Sequence, residues 1–514
     1  TLTVHGDPED AVTVTDGTWT DQALTNGFHA YVSGITTLLV DSLIGTVDIT
    51  TGATDGDDYL IGTAGDEILD GLGGNDTILG MGGNDSLAGS AGQDSISGDT
   101  GNDTLDGGDG NDELLGGEGV NVASFNSLPA PTGYHVLELP SSSGTFTYQG
   151  TDTYVDIHGL AGSAYADSLV GNDQNNPLFG NTGNDTFHGG WGSDCLDGGE
   201  GEDWVTYENF SGTYNFIIDL AGQNAEAFYG SSTYFDDYLA SIENVIGYNY
   251  ADTIVGNGQS NILLGLNGSD NISGGEGEDF LDGGEEADIL TGGLGNDTLL
   301  GGWGNDRLVT DGSDTVDGGG NTDTLAFDGD FHLDLTQGTP SITGIEHIDM
   351  TGGADELTLS ESDISGLSTE QDTLTIHGDT DDTLTLTDGT WSDNGASGGF
   401  NTYVSGTTTL LVDTDISHVS INTSSSGATE GDDTLIGTAD ADTIDGLGGN
   451  DTIMGLEQDD SLVGGSGNDT MIGGSGNDTL SGGDGSDWAD YRALVGQFEG
   501  TIDLIGSDDL ITGM

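Results

Sequence analysis

Residues 71 to 87 read "GLGGNDTILGMGGNDSL", and the same spacing continues, so that Asp76, Asp85, Asp94, Asp103 and Asp112 recur every nine residues. Glycines crowd in front of each of them. Carboxylates and backbone carbonyls offer oxygen and little else, which is the donor set of a hard divalent cation, above all calcium. Glycine takes positive φ without steric cost, so each Gly-rich run can turn tightly with its carbonyls facing a common centre.

Four blocks keep this spacing. The first, 53–118, carries Asp58, Asp76, Asp85, Asp94, Asp103 and Asp112, with Glu67 in the place of one aspartate. The second, 162–206, carries Asp167, Asp185, Asp194 and Asp203, with Asn176 as a substitute. The third, 247–326, carries Asp252, Asp270, Asp279, Asp288, Asp297 and Asp306, with Asn261 as a substitute; a one-residue deletion near Asp314 breaks the register before Asp323. The fourth, 428–490, carries Asp433, Asp442, Asp451, Asp460, Asp469, Asp478 and Asp487. These aspartates are the candidate calcium ligands. Glu67, Asn176, Asn261 and the block ends are the candidate weak sites.

Copies such as "GGSGNDTMI" and "GGSGNDTLS" at 464 to 481 follow G-G-x-G-x-D-x-U-x, with U a large apolar residue. This resembles the RTX (repeats-in-toxin) family. The resemblance implies calcium-loaded parallel β-rolls in which two nonapeptides make one turn of coil. Residues 18 apart then stack at about 4.8 Å, so that Asp76 and Asp94, or Asp451 and Asp469, share an ion between turns.

Composition agrees with a chain that needs cations. It has 514 residues, 92 of them Asp or Glu against 2 Lys or Arg, for a net charge of -90. Self-repulsion at that charge opposes compaction, yet 33% of the residues are hydrophobic and recur in register. Nucleic acid and anionic membranes are poor partners, because binding them relies on Lys and Arg contacts that are missing here, and no membrane insertion is expected. There is no run of 18 apolar residues to span a membrane, and the single Cys195 leaves no intramolecular disulfide.

The segments between the blocks read as β structure. "LTVHGDPEDAVTVTDGTW" at 2 to 19 returns as "LTIHGDTDDTLTLTDGTW" at 374 to 391, an offset of 372 (374 − 2). Alternating Thr with Val, Leu or Ile predicts half-buried strands. The predicted organisation is all-β: a β module at 1–52 and its copy at 372–427, four rolls, caps or linkers at 119–161, 207–246 and 327–371, and the start of a further cap at 491–514. A chain that begins inside its own repeating unit is expected to be a segment of a longer polypeptide.

Enzyme signatures are scarce. No His begins an HExxH. One G-x-S-x-G occurs at Gly395 to Gly399 around Ser397, but in a polar loop. His5 and His377 occupy identical "HGD" contexts that read as strand ends. The expected function is a calcium-dependent extracellular structural or adhesive element: a surface adhesin, surface-layer protein or matrix filament subunit, exported by type I secretion and folding on calcium. Self-association and a surface polysaccharide are the expected partners besides calcium. The alternative is the roll-bearing carrier region of a secreted enzyme such as a polysaccharide epimerase.

Overall fold

The structure is a computed structural model. It describes residues 53–131, 133–140, 143–146, 151–229, 232–327, 329–337, 341–368, 373–387, 391–416, 418–421, 431–437 and 441–490; of 1–52 and 491–514 it describes only the backbone of short strands. The chain divides into two units, Thr1–Leu266 and Asn267–Met514. Nearly all regular structure is β strand, and most of it is parallel.

In the first unit, alternate nonapeptides feed alternate stacks. Strands Tyr59–Ile61, Thr77–Leu79, Ser95–Thr100 and Glu113–Glu118 make one parallel stack, with Leu60 opposite Ile78, Ile78 opposite Ile96 and Ile96 opposite Leu114. Strands Ile68–Asp70, Ser86–Ala88, Thr104–Asp106 and Val122–Ser124 make the other, with Leu87 opposite both Leu69 and Leu105. The partners are 18 residues apart, as two nonapeptides per turn require. Each x-U-x triplet is long enough for one strand only, and its period of two sends U inward and its neighbours outward.

The stacks do not stop where the nonapeptide pattern does. Strand Asp152–Val155 joins the first stack, with Tyr154 opposite Leu114, and Gly159–Ala161 joins the second, with Leu160 opposite Ala123. The second stack runs on through Pro177–Phe179, Cys195–Asp197 and Ser232–Ala240. A third contains His135–Glu138, Asp167–Val170, Thr186–His188, Trp204–Thr206, Asn244–Ile246 and Ile262–Leu264. Segments 119–161 and 207–246, read from sequence as caps or linkers, thus supply strands to the coil. They also supply antiparallel pairs: Ser143–Phe146 with Asp152–Val155, and Asn215–Asp219 with Asn224–Tyr229.

The second unit repeats the scheme. One stack runs through Asn271–Glu276, Ile289–Leu294, Arg307–Thr310, Thr324–Phe327, His347–Asp349 and Thr373–His377; another through Phe280–Glu285, Thr298–Gly304, Thr315–Asn321 and Ile342–Thr343. The fourth block alternates between Thr434–Ile436, Thr452–Glu457, Thr470–Ser475 and Trp488–Asp490 on one side, and Thr443–Asp445, Ser461–Ser466 and Thr479–Asp484 on the other. Between them, Ser392–Ser397, Phe400–Ser405 and Thr408–Asp413 form an antiparallel meander whose last strand lies parallel to Thr373–His377. The backbone strands of the earlier copy pair the same way, with Leu2–Val4 parallel to Thr36–Asp41.

The core is the column of U residues. Ile78, Leu87, Ile96, Leu105 and Leu114 are fully buried, as are Leu169, Leu178, Phe187, Leu196, Leu290, Leu299 and Leu308. Each such side chain contributes about 1.5–3 kcal/mol relative to exposure. The column aligns the turns, and the turns carry the carboxylates.

Candidate metal centre

Nearly all of the aspartates predicted as ligands are buried; Asp58 and Asp433 are half-buried. Burial of so many carboxylates in a chain with two basic residues calls for compensation. Half of it is internal. The Oδ1 of most of these aspartates accepts the backbone N–H of the acidic position one turn earlier: Asp58 N–H donates to Asp76 at 2.7 Å, Asp76 to Asp94 at 2.7 Å, and Asp94 to Asp112 at 2.8 Å. The same ladder links Asp167, Asp185 and Asp203, then Asp270, Asp288, Asp306 and Asp323, and in the fourth block Asp433, Asp451, Asp469 and Asp487. Asp279 donates to Asp297, and Asp442, Asp460 and Asp478 form the matching row.

The other oxygen is left over. No protein donor reaches the buried Oδ2 of Asp76, Asp85, Asp94, Asp103, Asp112, Asp185, Asp194, Asp203, Asp288, Asp297, Asp306, Asp323, Asp451, Asp460, Asp469 or Asp478. The surroundings are further oxygens. A Cβ placed on Gly98 would stand 2.7 Å from the Asp103 carboxyl carbon and 2.7 Å from the Gly116 carbonyl oxygen, so carboxylate and carbonyl converge where only glycine fits. Gly89 faces Asp94 and the Gly107 carbonyl in the same way. Among the described residues, no three His, Cys, Asp or Glu side chains converge on one point, so carbonyls must complete any ligand set. Orphaned buried oxygens beside carbonyls, without nitrogen or sulfur, fit calcium.

The electrostatics carry the same signature. Burial pushes the Asp185 and Asp288 carboxyls up to about 8 and those of Asp194, Asp323 and Asp460 up to about 7. Asp85, Asp94 and Asp112 rise to about 6 for the same reason, partly offset by the backbone N–H that each accepts. Repulsion from the acidic groups one turn away adds to the rise in Asp94 and Asp288. Without a cation, the fold holds these groups against their charged form.

These features match a known repeat. The model of the RTX calcium-binding nonapeptide repeat matches residues 52–87, 88–123, 170–205, 246–281, 273–308, 427–462 and 454–489. The chain carries RTX calcium-binding nonapeptide repeats. Such repeats bind calcium. No curated protein matches the chain. Among solved structures, the extracellular lipase LipA of Serratia marcescens aligns at 14% identity and a TM-score of 0.14, over 50% of this chain and 38% of the lipase chain.

Several RTX positions lie outside the nonapeptide pattern. Asp152, Asp237 and Glu243 accept the backbone N–H of Asp112, Asp194 and Asp203 across insertions of 22, 25 and 22 residues (40 − 18, 43 − 18 and 40 − 18), and Asp314 accepts that of Asp297 across the one-residue deletion. Glu346 receives Asp323, and Asp382 receives Asp355. Each keeps an acidic-x-apolar triplet, such as Asp152-x-Tyr154 or Asp314-x-Val316, which is the surviving sequence signal. The Asn of Asn-Asp also has a role that its place in the repeat does not reveal: the side-chain oxygens of Asn84 and Asn450 accept the backbone N–H of Asn102 and Asn468 one turn later.

The remaining candidates are structural in their contacts. Ser397 pairs with Phe400 in a tight antiparallel hairpin, where Gly395, Gly398 and Gly399 all have positive φ. His377 ends a strand and stacks on His347 at 5.4 Å. His5 lies outside the described residues. Trp191 packs edge-on against Phe210 and Tyr214, each at 5.1 Å.

Proposed function

We propose that this chain is a calcium-dependent extracellular structural or adhesive protein that folds when calcium neutralises its turns. The observation that carries the reading is the repeated buried Oδ2, without a donor and beside a glycine carbonyl. Calcium sites of extracellular type bind at about 0.1–1 mM, so such a chain stays open where calcium is scarce and folds where it is plentiful. With only two Lys or Arg against 92 Asp or Glu, calcium also governs whether two copies can approach. Export by type I secretion, as RTX proteins typically undergo, would deliver the chain to that calcium.

The protein's extent serves this role better than catalysis does. Its function on this reading lies in the length of coil, the antiparallel modules and self-association through strand edges. Circular dichroism with and without EGTA tests the folding step: the β signal should vanish on chelation and return with millimolar calcium. Electron microscopy tests the assembly step, with filaments or layers expected in calcium and dispersal in EGTA. A β spectrum indifferent to chelation, or a monomer that turns over a polysaccharide, ester or peptide, would overturn the proposal.

A further inference from the structure

The turns in front of the acidic positions of the regular nonapeptides are of two kinds, distinguished by the residue four places earlier; Asp314, at the one-residue deletion, is reached instead by the Thr310 hydroxyl, at 2.7 Å. In the first kind that residue is left-handed: Leu72 before Asp76 has φ 70°, Met81 before Asp85 has 78°, Asn181 before Asp185 has 72° and Gly284 before Asp288 has 105°. No backbone N–H of the turn reaches the carboxylate, and its Oδ2 is orphaned. In the second kind the residue has ordinary negative φ, and its N–H closes the turn on the acid or amide.

Among the described residues, six turns close in this way. Thr54 N–H donates to Asp58 at 2.6 Å and Thr63 N–H to Glu67 at 2.6 Å, each with its hydroxyl donating as well, at 2.9 and 2.7 Å. Ser163 N–H donates to Asp167 at 2.5 Å, with its hydroxyl at 3.0 Å, and Asn172 N–H to Asn176 at 2.7 Å. Tyr248 N–H donates to Asp252 at 2.7 Å and Asn257 N–H to Asn261 at 2.8 Å. The amide substitutes go further: Asn176 Nδ2 donates to the His158 carbonyl at 2.8 Å and Asn261 Nδ2 to the Glu243 carbonyl at 2.7 Å. A side-chain N–H there caps an oxygen without any ion.

The placement is systematic. The six turns fall in three consecutive pairs, and each pair opens a block of nonapeptides. Two turns are one full coil. In the fourth block Thr429 and Thr438 stand at the same spacing from Asp433 and Asp442 in the sequence, although both threonines lie outside the described residues.

We infer that each block opens with one coil closed by its own hydroxyl, amide and backbone N–H groups, that Asp58, Asp167 and Asp252 bind no calcium there, and that calcium loading begins one coil further on. The physical reason is the donor count. A carboxylate oxygen already holding a backbone N–H has one lone pair engaged, and in two cases a hydroxyl engages the other, with the donor standing in the space that a cation would use. This inference rests on the reading that the orphaned oxygens hold calcium, and the experiment separates the two.

Calcium bound per chain is measured by equilibrium dialysis on the full-length protein and three variants. In Asp58→Asn/Asp167→Asn/Asp252→Asn the count should equal that of the parent, since Asn already occupies this position at 176 and 261. In Asp85→Asn/Asp185→Asn/Asp288→Asn the count should fall; if it does not, the calcium reading of the open turns fails. Thr63→Gly/Glu67→Asp rebuilds a closed turn as an open one and should raise the count. A lower count in the first variant with a β spectrum retained, or an unchanged count in the third, would overturn the inference. The gain expected of the third variant decides the question if the first misfolds, because misfolding cannot add a bound ion.

Discussion

Gly98→Ala places a single methyl at the meeting point of a carboxylate and a carbonyl. The Gly98 backbone does not need positive φ, so alanine is tolerated conformationally and the effect isolates the space itself. The new Cβ would stand 2.7 Å from both the Asp103 carboxyl carbon and the Gly116 oxygen, well inside contact. Overpacking of this kind costs about 1–3 kcal/mol. Displacing an ion with a Kd of about 0.1–1 mM from millimolar calcium removes about 0.4–1.4 kcal/mol more. The expected loss is therefore about 1.4–4.4 kcal/mol in calcium and only the packing share in EGTA under folding conditions. At about 2–4 °C per kcal/mol, the melting temperature should drop by on the order of 10 °C. Calorimetry in millimolar calcium, with Gly366→Ala as the control, reads this out. Gly366 lies in the helix Glu361–Leu367 with nothing within 4 Å of its added Cβ, so that variant should gain about 1 kcal/mol. A Gly98→Ala protein melting with the parent would refute the argument that glycine keeps the metal cradle open.

Leu456 is 44% exposed and held at φ 90°, so Leu456→Gly should relieve about 1 kcal/mol of left-handed strain and raise the melting temperature, against the usual direction for glycine; a fall would show the leucine's contacts to matter more. The raised carboxyls give a pH dependence of definite sign. Asp185, Asp288, Asp194, Asp323 and Asp460 titrate between about 7 and about 8 in the cation-free fold, against about 4 in an unfolded chain, so the fold binds protons that the unfolded chain does not. Stability without calcium should therefore rise as pH falls from 8 towards 4, and the calcium midpoint should move to higher concentration over the same range. Dichroism in EGTA at pH 5 and pH 8, with calcium titrations at each, checks both; a midpoint indifferent to pH would refute the burial of these groups.

The repeat, the 18-residue register and the inward column of Leu and Ile are legible in the sequence because each rests on local chemistry. A nonapeptide is one glycine turn plus one strand, and its neighbour is the same again, so the stacking of Leu60, Ile78 and Ile96 follows from the spacing alone. The oxygen-only donor set is legible for the same reason. Three things are not. The continuation of the coil through Asp152, Asp237, Glu243 and Asp314 depends on loops of irregular length returning to register, and an acidic-x-apolar triplet alone is too short to announce that. The reciprocal roles of Asn84 and Asp85, one bonding forward and the other backward along the coil, need the rise between turns. The division of turns into open and closed is a matter of backbone handedness: Met81 and Thr63 occupy the same place in their nonapeptides, and only the folded chain, pressing each against the turn beside it, decides that one swings its N–H away and the other closes on its acid.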